Sequence, residues 1–262
     1  MTIMDIDKNN IEQEHICCAI GNDKRNQARA QVKKDWMKKE FENGLVFKRL
    51  DDRGKMFIEY IPIENAWKPV IGKNYTMIHC LWVSGKFKKQ GIATALLDEC
   101  IKESKENRKD GIAVITSSKN KPFLTEKKFF EKKGFQVVDQ APPYFELMVL
   151  KFNKKAENPV FTSTAKTGKT DFKDGVCFVY THQCPFMEEY MTLLSKICEE
   201  EAIPVKIIQL KSADQVKKLG GPFGTLSMYD NSEFVTHELF SENKFRKYLT
   251  TRLRMDPLKI AV

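Results

Sequence analysis

The chain of 262 residues is 42% hydrophobic and 30% charged, with a formal net charge of +9. This is a soluble, globular composition with room for one large domain or two modest ones, and no apolar run is long enough to cross a membrane. The excess charge is mostly lysine on what read as solvated helix faces (Lys33, Lys34, Lys38, Lys39), with no basic arm, zinc-finger or RNP-type signature, so no nucleic-acid partner is expected.

In chain order, the polar start Met1 to Asn10 does not read as a secretory signal. Glu14 to Ile20 reads as a short buried strand, and Lys24 to Asn43 as a helix carrying Val32, Trp36, Met37 and Phe41 at helical spacing. Asn43-Gly44 stops it. Leu45 to Leu50 and Lys55 to Ile61 form a hairpin across Asp51-Asp52-Arg53-Gly54. Tyr75 to Val83 is the next strand, Ile92 to Glu103 a helix, Ile112 to Ser117 a buried strand and Leu124 to Lys133 a helix closed by Gly134. Phe135 to Val138 and Tyr144 to Phe152 are strands. The stretch 153–174 has no apolar period and reads as a linker. Beyond it come strand Val176 to Tyr180, a His182-Gln183-Cys184-Pro185-Phe186 turn, helix Met187 to Glu201, strand Val205 to Leu210 and helix Ser212 to Leu219. A Gly220-Gly221-Pro222 break, strands Thr225 to Tyr229 and Glu233 to Thr236, and helix Lys244 to Leu253 complete the chain. The whole is α/β, expected as two units, 1–152 and 175–262.

The seven cysteines (Cys17, Cys18, Cys80, Cys100, Cys177, Cys184 and Cys198) are odd in number and form no C-x-x-C pair. Reduced thiols, no disulfide framework and no metal site are expected, as in a cytoplasmic protein.

The segment from Val83 to Leu97 is strand end, lysine-rich turn, small residues and helix start. Helix N-termini present free amides and partial positive charge, and small residues let a phosphate approach the backbone. No G-x-G-x-x-G and no Gly-Lys-Ser/Thr loop with its upstream glycine is present, so dinucleotide and Walker-type readings fail.

Lys88-Lys89-Gln90-Gly91-Ile92-Ala93 resembles the Q/R-x-x-G-x-G/A acyl-CoA motif of the GNAT N-acetyltransferases, and Phe129 to Phe135 matches the F-Y-x-x-x-G-F ending of that family's next helix. The resemblance covers about residues 1–150. It implies a mixed sheet flanked by helices, acetyl-CoA as co-substrate, and direct acetyl transfer to a small-molecule or peptide amine. It further implies that Leu81, Trp82 and Val83 pair with the pantetheine arm, and that Lys88 to Ala93 with the Thr94 hydroxyl cradle the pyrophosphate. Ser117 and Asn120 are implied as further contacts to the cofactor. Glu59 and His79 would lie on the acceptor side as candidate bases, since an ammonium must lose a proton before it attacks. The family's tyrosine near the thioester aligns with Phe130, which has no proton to give, so Tyr144 is the candidate replacement acid. Acyl-CoA binding or thiol sensing without transfer is the alternative.

In the second unit, Thr181-His182-Gln183-Cys184-Pro185-Phe186-Met187 resembles the start of a thioredoxin-like domain, where a cysteine opens the first helix. Met187 in the fourth position excludes a dithiol cycle there, leaving Cys184 as a possible lone thiol site. Taken together, the halves resemble YoaP-type acetyltransferases, a GNAT domain followed by a small α/β domain.

Overall fold

The computed structural model describes residues 2–255 except Cys17 and Gly220, so the expectations at those two positions lie outside the described residues. Chain order begins β1 (Ile3–Ile6), α1 (Lys24–Glu40), β2 (Val46–Leu50), β3 (Met56–Pro62), β4 (Val70–Ile71), β5 (Tyr75–Val83) and α2 (Ile92–Glu106). Next come β6 (Gly111–Ser117), α3 (Lys127–Glu131), β7 (Gln136–Ala141), β8 (Phe145–Lys151), β9 (Val160–Phe161) and α4 (Ser163–Thr167). The last stretch is β10 (Val176–Tyr180), α5 (Met187–Glu200), β11 (Val205–Gln209), α6 (Ala213–Leu219), β12 (Leu226–Asp230), β13 (Glu233–Thr236) and α7 (Glu242–Met255). No helix among the described residues is long and apolar enough to cross a membrane.

A seven-stranded sheet runs β1-β2-β3-β5-β6-β8-β7, antiparallel except for the β5–β6 pair. A four-stranded sheet runs β11-β10-β12-β13, with only β10 and β11 parallel. Strand alternation divides the apolar residues between layers. Along β6, Ile112 and Val114 face α2 and join Leu96, Leu97 and Cys100, whereas Ala113 and Ile115 face the other way. That second side meets the small sheet in one continuous core, where Phe57, Ile115 and Phe145 belong to the same cluster as Cys177, Val179 and Tyr229. The outer face of the small sheet is covered by α5 and α7 through Leu194, Ile197, Phe245 and Leu249.

Three expectations are corrected. Residues 14–16 and 18–20 are bend and loop, not a strand: β1 already pairs with the β2 edge (Ile3↔Leu50 to Ile6↔Phe47), and the Asp7 carboxylate curls the residues after β1 by accepting from Asn9 N–H at 2.7 Å. Ile11 and Ile16 are nonetheless fully buried, so the segment's apolar residues serve as plugs. The stretch 153–174 folds against its neighbours: β9 pairs with β4, Phe161 and Ala165 are buried, and the Thr162 hydroxyl caps α4 at Ala165 N–H. Single anchors leave no period to read. Finally, Lys33 and Lys34 do not lie on a solvated face; they are 2% and 9% exposed, because their ammonium groups find acceptors inside, the Glu59 carboxylate and the Glu12 carbonyl.

Candidate active site

Strands β5 and β6 are paired only from Tyr75↔Gly111 to Ile78↔Val114. Beyond that point β5 stays with β3 (Cys80↔Glu59 to Val83↔Met56) and β6 stays with β8. The two strands therefore part into a V, with main-chain groups of both facing the gap. The Leu81 carbonyl accepts from the Thr125 hydroxyl across the gap at 3.0 Å. In a strand, a residue's N–H and C=O point to the same side and alternate along the chain, so Leu81 and Val83 face the gap while Cys80 and Trp82 bond toward β3.

At the open end of the V lies the turn into α2. Lys89 and Gly91 are left-handed (φ 63° and 79°), and a side chain on Gly91 would meet nothing within 4 Å, so the backbone there is open to a ligand. Gly91 caps α2 without a side-chain bond, and the first intrahelical bond is Ala95 N–H to Gly91 O. The amides of Ile92, Ala93 and Thr94 precede it and lack helical acceptors. Lys88, Lys89 and Gln90 are exposed, with Gln90 Nε2 donating to the Lys86 carbonyl at 2.7 Å. Ser117 and Asn120 line a separate depression of about 370 Å³, which shares Leu124 and Thr125 with the V.

The register of β3 and β5 slips where Glu59 faces Cys80 and Tyr60 faces Ile78. His79 is the extra residue of this bulge, and it and Cys80 consequently share the side facing the small sheet. There they line a cavity of about 150 Å³ with Glu59 and Trp82 from the large sheet and Gln183, Cys184, Phe186 and His237 from the second half. Its polar end is a buried chain of groups. Trp67 N–H donates to His79 Nε2 at 3.1 Å, which places the imidazole proton on Nδ1, 3.2 Å from Glu59 Oε1. Lys33 pairs with Glu59 Oε2 and lies 4.4 Å from the Trp36 ring centroid. Burial alone would raise the Glu59 pKa, but Lys33 and His79 hold it down at about 2. Burial lowers His79 to about 4, so it is neutral. Gln183, from the second half, donates to the Trp67 carbonyl at 3.2 Å and accepts from Thr225 at 2.8 Å.

The structure thus brings Glu59, His79, Trp82 and Cys184 around one cavity. Phe130 departs from expectation: it is fully buried on the α2 side of the large sheet, 5.2 Å from the Phe129 ring and 5.1 Å from Phe135, and lines neither the V nor the cavity. Tyr144 departs as well. His237 Nε2 lies 3.0 Å from the Pro122 carbonyl and so carries the proton, leaving Nδ1 to accept from the Tyr144 hydroxyl at 2.9 Å. Burial pushes the Tyr144 pKa up to about 12. Sequence reasoning missed Lys33, Trp67, Lys68 and His237. A lysine inside the apolar run Ala66-Trp67-Lys68-Pro69-Val70 was the one available signal.

Residues 9–135 match the acetyltransferase (GNAT) family and residues 204–247 the YoaP-like family. The chain is 42% identical over 251 residues to the uncharacterized N-acetyltransferase YoaP of Bacillus subtilis strain 168, covering 96% of this chain and 99% of that one. Among solved structures, the PaiA N-acetyltransferase of Thermoplasma acidophilum in complex with coenzyme A is 18% identical (TM-score 0.40) over 58% of this chain and all of its own. The aminoglycoside 6'-N-acetyltransferase of Enterococcus faecium is 17% identical (TM-score 0.40) over 60% of this chain and all of its own. With 42% identity along nearly its whole length, this chain belongs to the GNAT acetyltransferases, in the form that continues into a YoaP-like second half.

Proposed function

We propose that the protein transfers an acetyl group from acetyl-CoA directly to a small amine within a ternary complex. The observation that carries this reading is the V between β5 and β6, with the uncapped start of α2 at its open end. Leu81 and Val83 pair with the pantetheine amides, while Trp82 turns its side chain to the acceptor cavity. The pyrophosphate sits on the turn from Lys88 to Gly91 and the amides of Ile92 to Thr94, in the field of Lys88 and Lys89. Ser117 and Asn120 belong to the far rim of the cofactor site.

The acceptor occupies the cavity between the sheets. A space of about 150 Å³ is the size that accepts a benzene ring, which favours an amine with a compact apolar body over an aminoglycoside. Glu59 and His79 form its polar end. At pKa values of about 2 and 4 both are weak proton acceptors, and the free lone pair of His79 is occupied by the Trp67 amide. We therefore assign them to orienting the amine, whose proton passes to water. The second half reads as thioredoxin-like, supported by the central β10 between parallel β11 and antiparallel β12 and by Cys184 just ahead of α5. It serves here to wall the cavity.

The test is calorimetry with acetyl-CoA together with CoA release across a panel of amines. Neither binding nor release with any amine would refute the proposal. Gly91→Val should weaken acetyl-CoA binding about tenfold, because a β-branched residue is strained at positive φ by ~1–2 kcal/mol and projects toward the phosphates. Unchanged affinity would remove Gly91 from the cradle. Phe186→Ala should raise the acceptor KM several-fold and leave acetyl-CoA affinity alone; a loss of acetyl-CoA affinity instead would place the acceptor elsewhere.

A further inference from the structure

Lys68 is 1% exposed, yet it forms no ion pair among the described residues. Its ammonium donates to the Phe223 carbonyl at 3.2 Å and the Thr225 hydroxyl at 3.0 Å, and lies 4.1 Å from the Phe223 ring centroid. That uses two of three hydrogens; the third has no acceptor among the described residues. A cation buried this way is destabilised until negative charge develops beside it. The ionisable groups that face it are Glu59, Lys33, Cys80, Cys184, His79 and His237. Of these Glu59 is already bound to Lys33, and the histidines are neutral.

Lys68 also lines the small cavity at the point of the V, about 20 Å³, together with Ile78 to Leu81 of β5 and Val114 and Ile115 of β6. A pantetheine arm entering beside Val83 must end before the strands rejoin at Ile78↔Val114. Its thioester therefore stops beside His79 to Leu81, in the space Lys68 borders. Three donors nearby are committed, the Tyr144 hydroxyl to His237, His237 Nε2 to the Pro122 carbonyl and His79 Nδ1 to Glu59, and burial pushes the Cys80 thiol up to about 12, too weak an acid for a thiolate.

Resting on the acetyl-transfer reading above, we propose that Lys68 is the acid that protonates the departing CoA thiolate. The acceptor nitrogen attacks the thioester carbon, the C–S bond breaks, and sulfur keeps the electron pair. A proton moves from Lys68 Nζ to sulfur, giving CoA thiol and the acetylated amine; solvent reprotonates Lys68 with the proton the amine has lost. The interaction is stronger in the transition state than with the neutral thioester, which is what catalysis requires. Burial, the dominant influence, lowers the Lys68 pKa to about 8, close to that of a thiol. The acid must start protonated, so kcat should fall as pH rises through about 8.

The experiment compares the full-length protein with Lys68→Met and Lys68→Arg, following CoA release against pH, and binding of acetyl-CoA. Lys68→Met should lower kcat about a hundredfold, abolish the descending limb and leave acetyl-CoA affinity within about threefold. Lys68→Arg should stay slow, because a guanidinium does not release its proton at these pH values. Wild-type kcat and pH limb in Lys68→Met overturn the proposal, as does a loss explained wholly by weaker acetyl-CoA binding. If Lys68→Met fails to fold, the proposal stands or falls on the wild-type limb and its loss in Lys68→Arg. Wild-type protein that releases no CoA with any amine would overturn the acetyl-transfer reading itself, and this proposal with it.

Discussion

Lys33→Met should lower folding stability by about 3–5 kcal/mol at neutral pH, because it strands the buried Glu59 carboxylate without its cation. The pH dependence should distinguish this from lost packing. In the wild type the Glu59 pKa is depressed to about 2, below its value in the unfolded chain. Its contribution is therefore complete above the unfolded pKa of about 4.3 and is lost as pH falls through about 2. Without Lys33, burial dominates and raises the Glu59 pKa, so the sign reverses: the variant's deficit relative to wild type should shrink as the medium is acidified and Glu59 takes up a proton. Urea denaturation at pH 7 and pH 5 measures both. Adding Glu59→Gln to Lys33→Met should restore much of the loss at pH 7. A double variant as unstable as the single one would mean that Lys33 acts by packing.

Acidification of the wild type should produce a second large effect, centred on two histidines. His79 and His237 are both lowered from 6.5 to about 4, chiefly by burial. A group depressed in the folded state stabilises the fold fully above its unfolded pKa and loses that contribution as pH drops through the folded one. The window here runs from 6.5 down to about 4, and at ~1.4 kcal/mol per pH unit each histidine represents roughly 3 kcal/mol. His237→Asn should halve the slope of stability against pH in this window. A flat profile between pH 7 and pH 4.5 would show that neither imidazole is held neutral.

Periodicity made much of this molecule legible, and its failures are physical. β3, β5, α2, β6 and the succession of elements from β10 to α7 follow from apolar spacing and from glycines at stops. The turn from Lys88 to Ala93 was readable because glycine and small residues have few other reasons to precede a helix. β1 escaped notice because three of its four residues are exposed or partly so, and β4 and β9 because two-residue strands have no period. The candidate site was half legible. Glu59 and His79 were visible as polar residues in apolar strands, but not the bulge that sets His79 beside Cys80. Lys33 looked like any helix lysine; its burial depends on a carboxylate 26 residues away. Gln183 and His237 matter through contacts with Trp67 and Tyr144, more than 90 residues distant.

The continuous core between the two sheets governs how molecules come and go. The side chains that wall the acceptor cavity border the cluster that joins the sheets, and Gln183, Lys68 and His237 tie one half to the other. Swinging the halves apart would expose that core and strand several buried polar groups at once, so a hinge is the costliest route to the cavity. The cheaper route is the rim from Ser118 to Thr125, where Phe123 is 45% exposed at positive φ and one hydroxyl bond at Leu81 spans the V. The same rim lies across the gap between β5 and β6 and beside the cavity between the sheets. On the proposed reading both substrates share a single gate, and a cofactor that displaces Thr125 from Leu81 changes the doorway through which the amine passes.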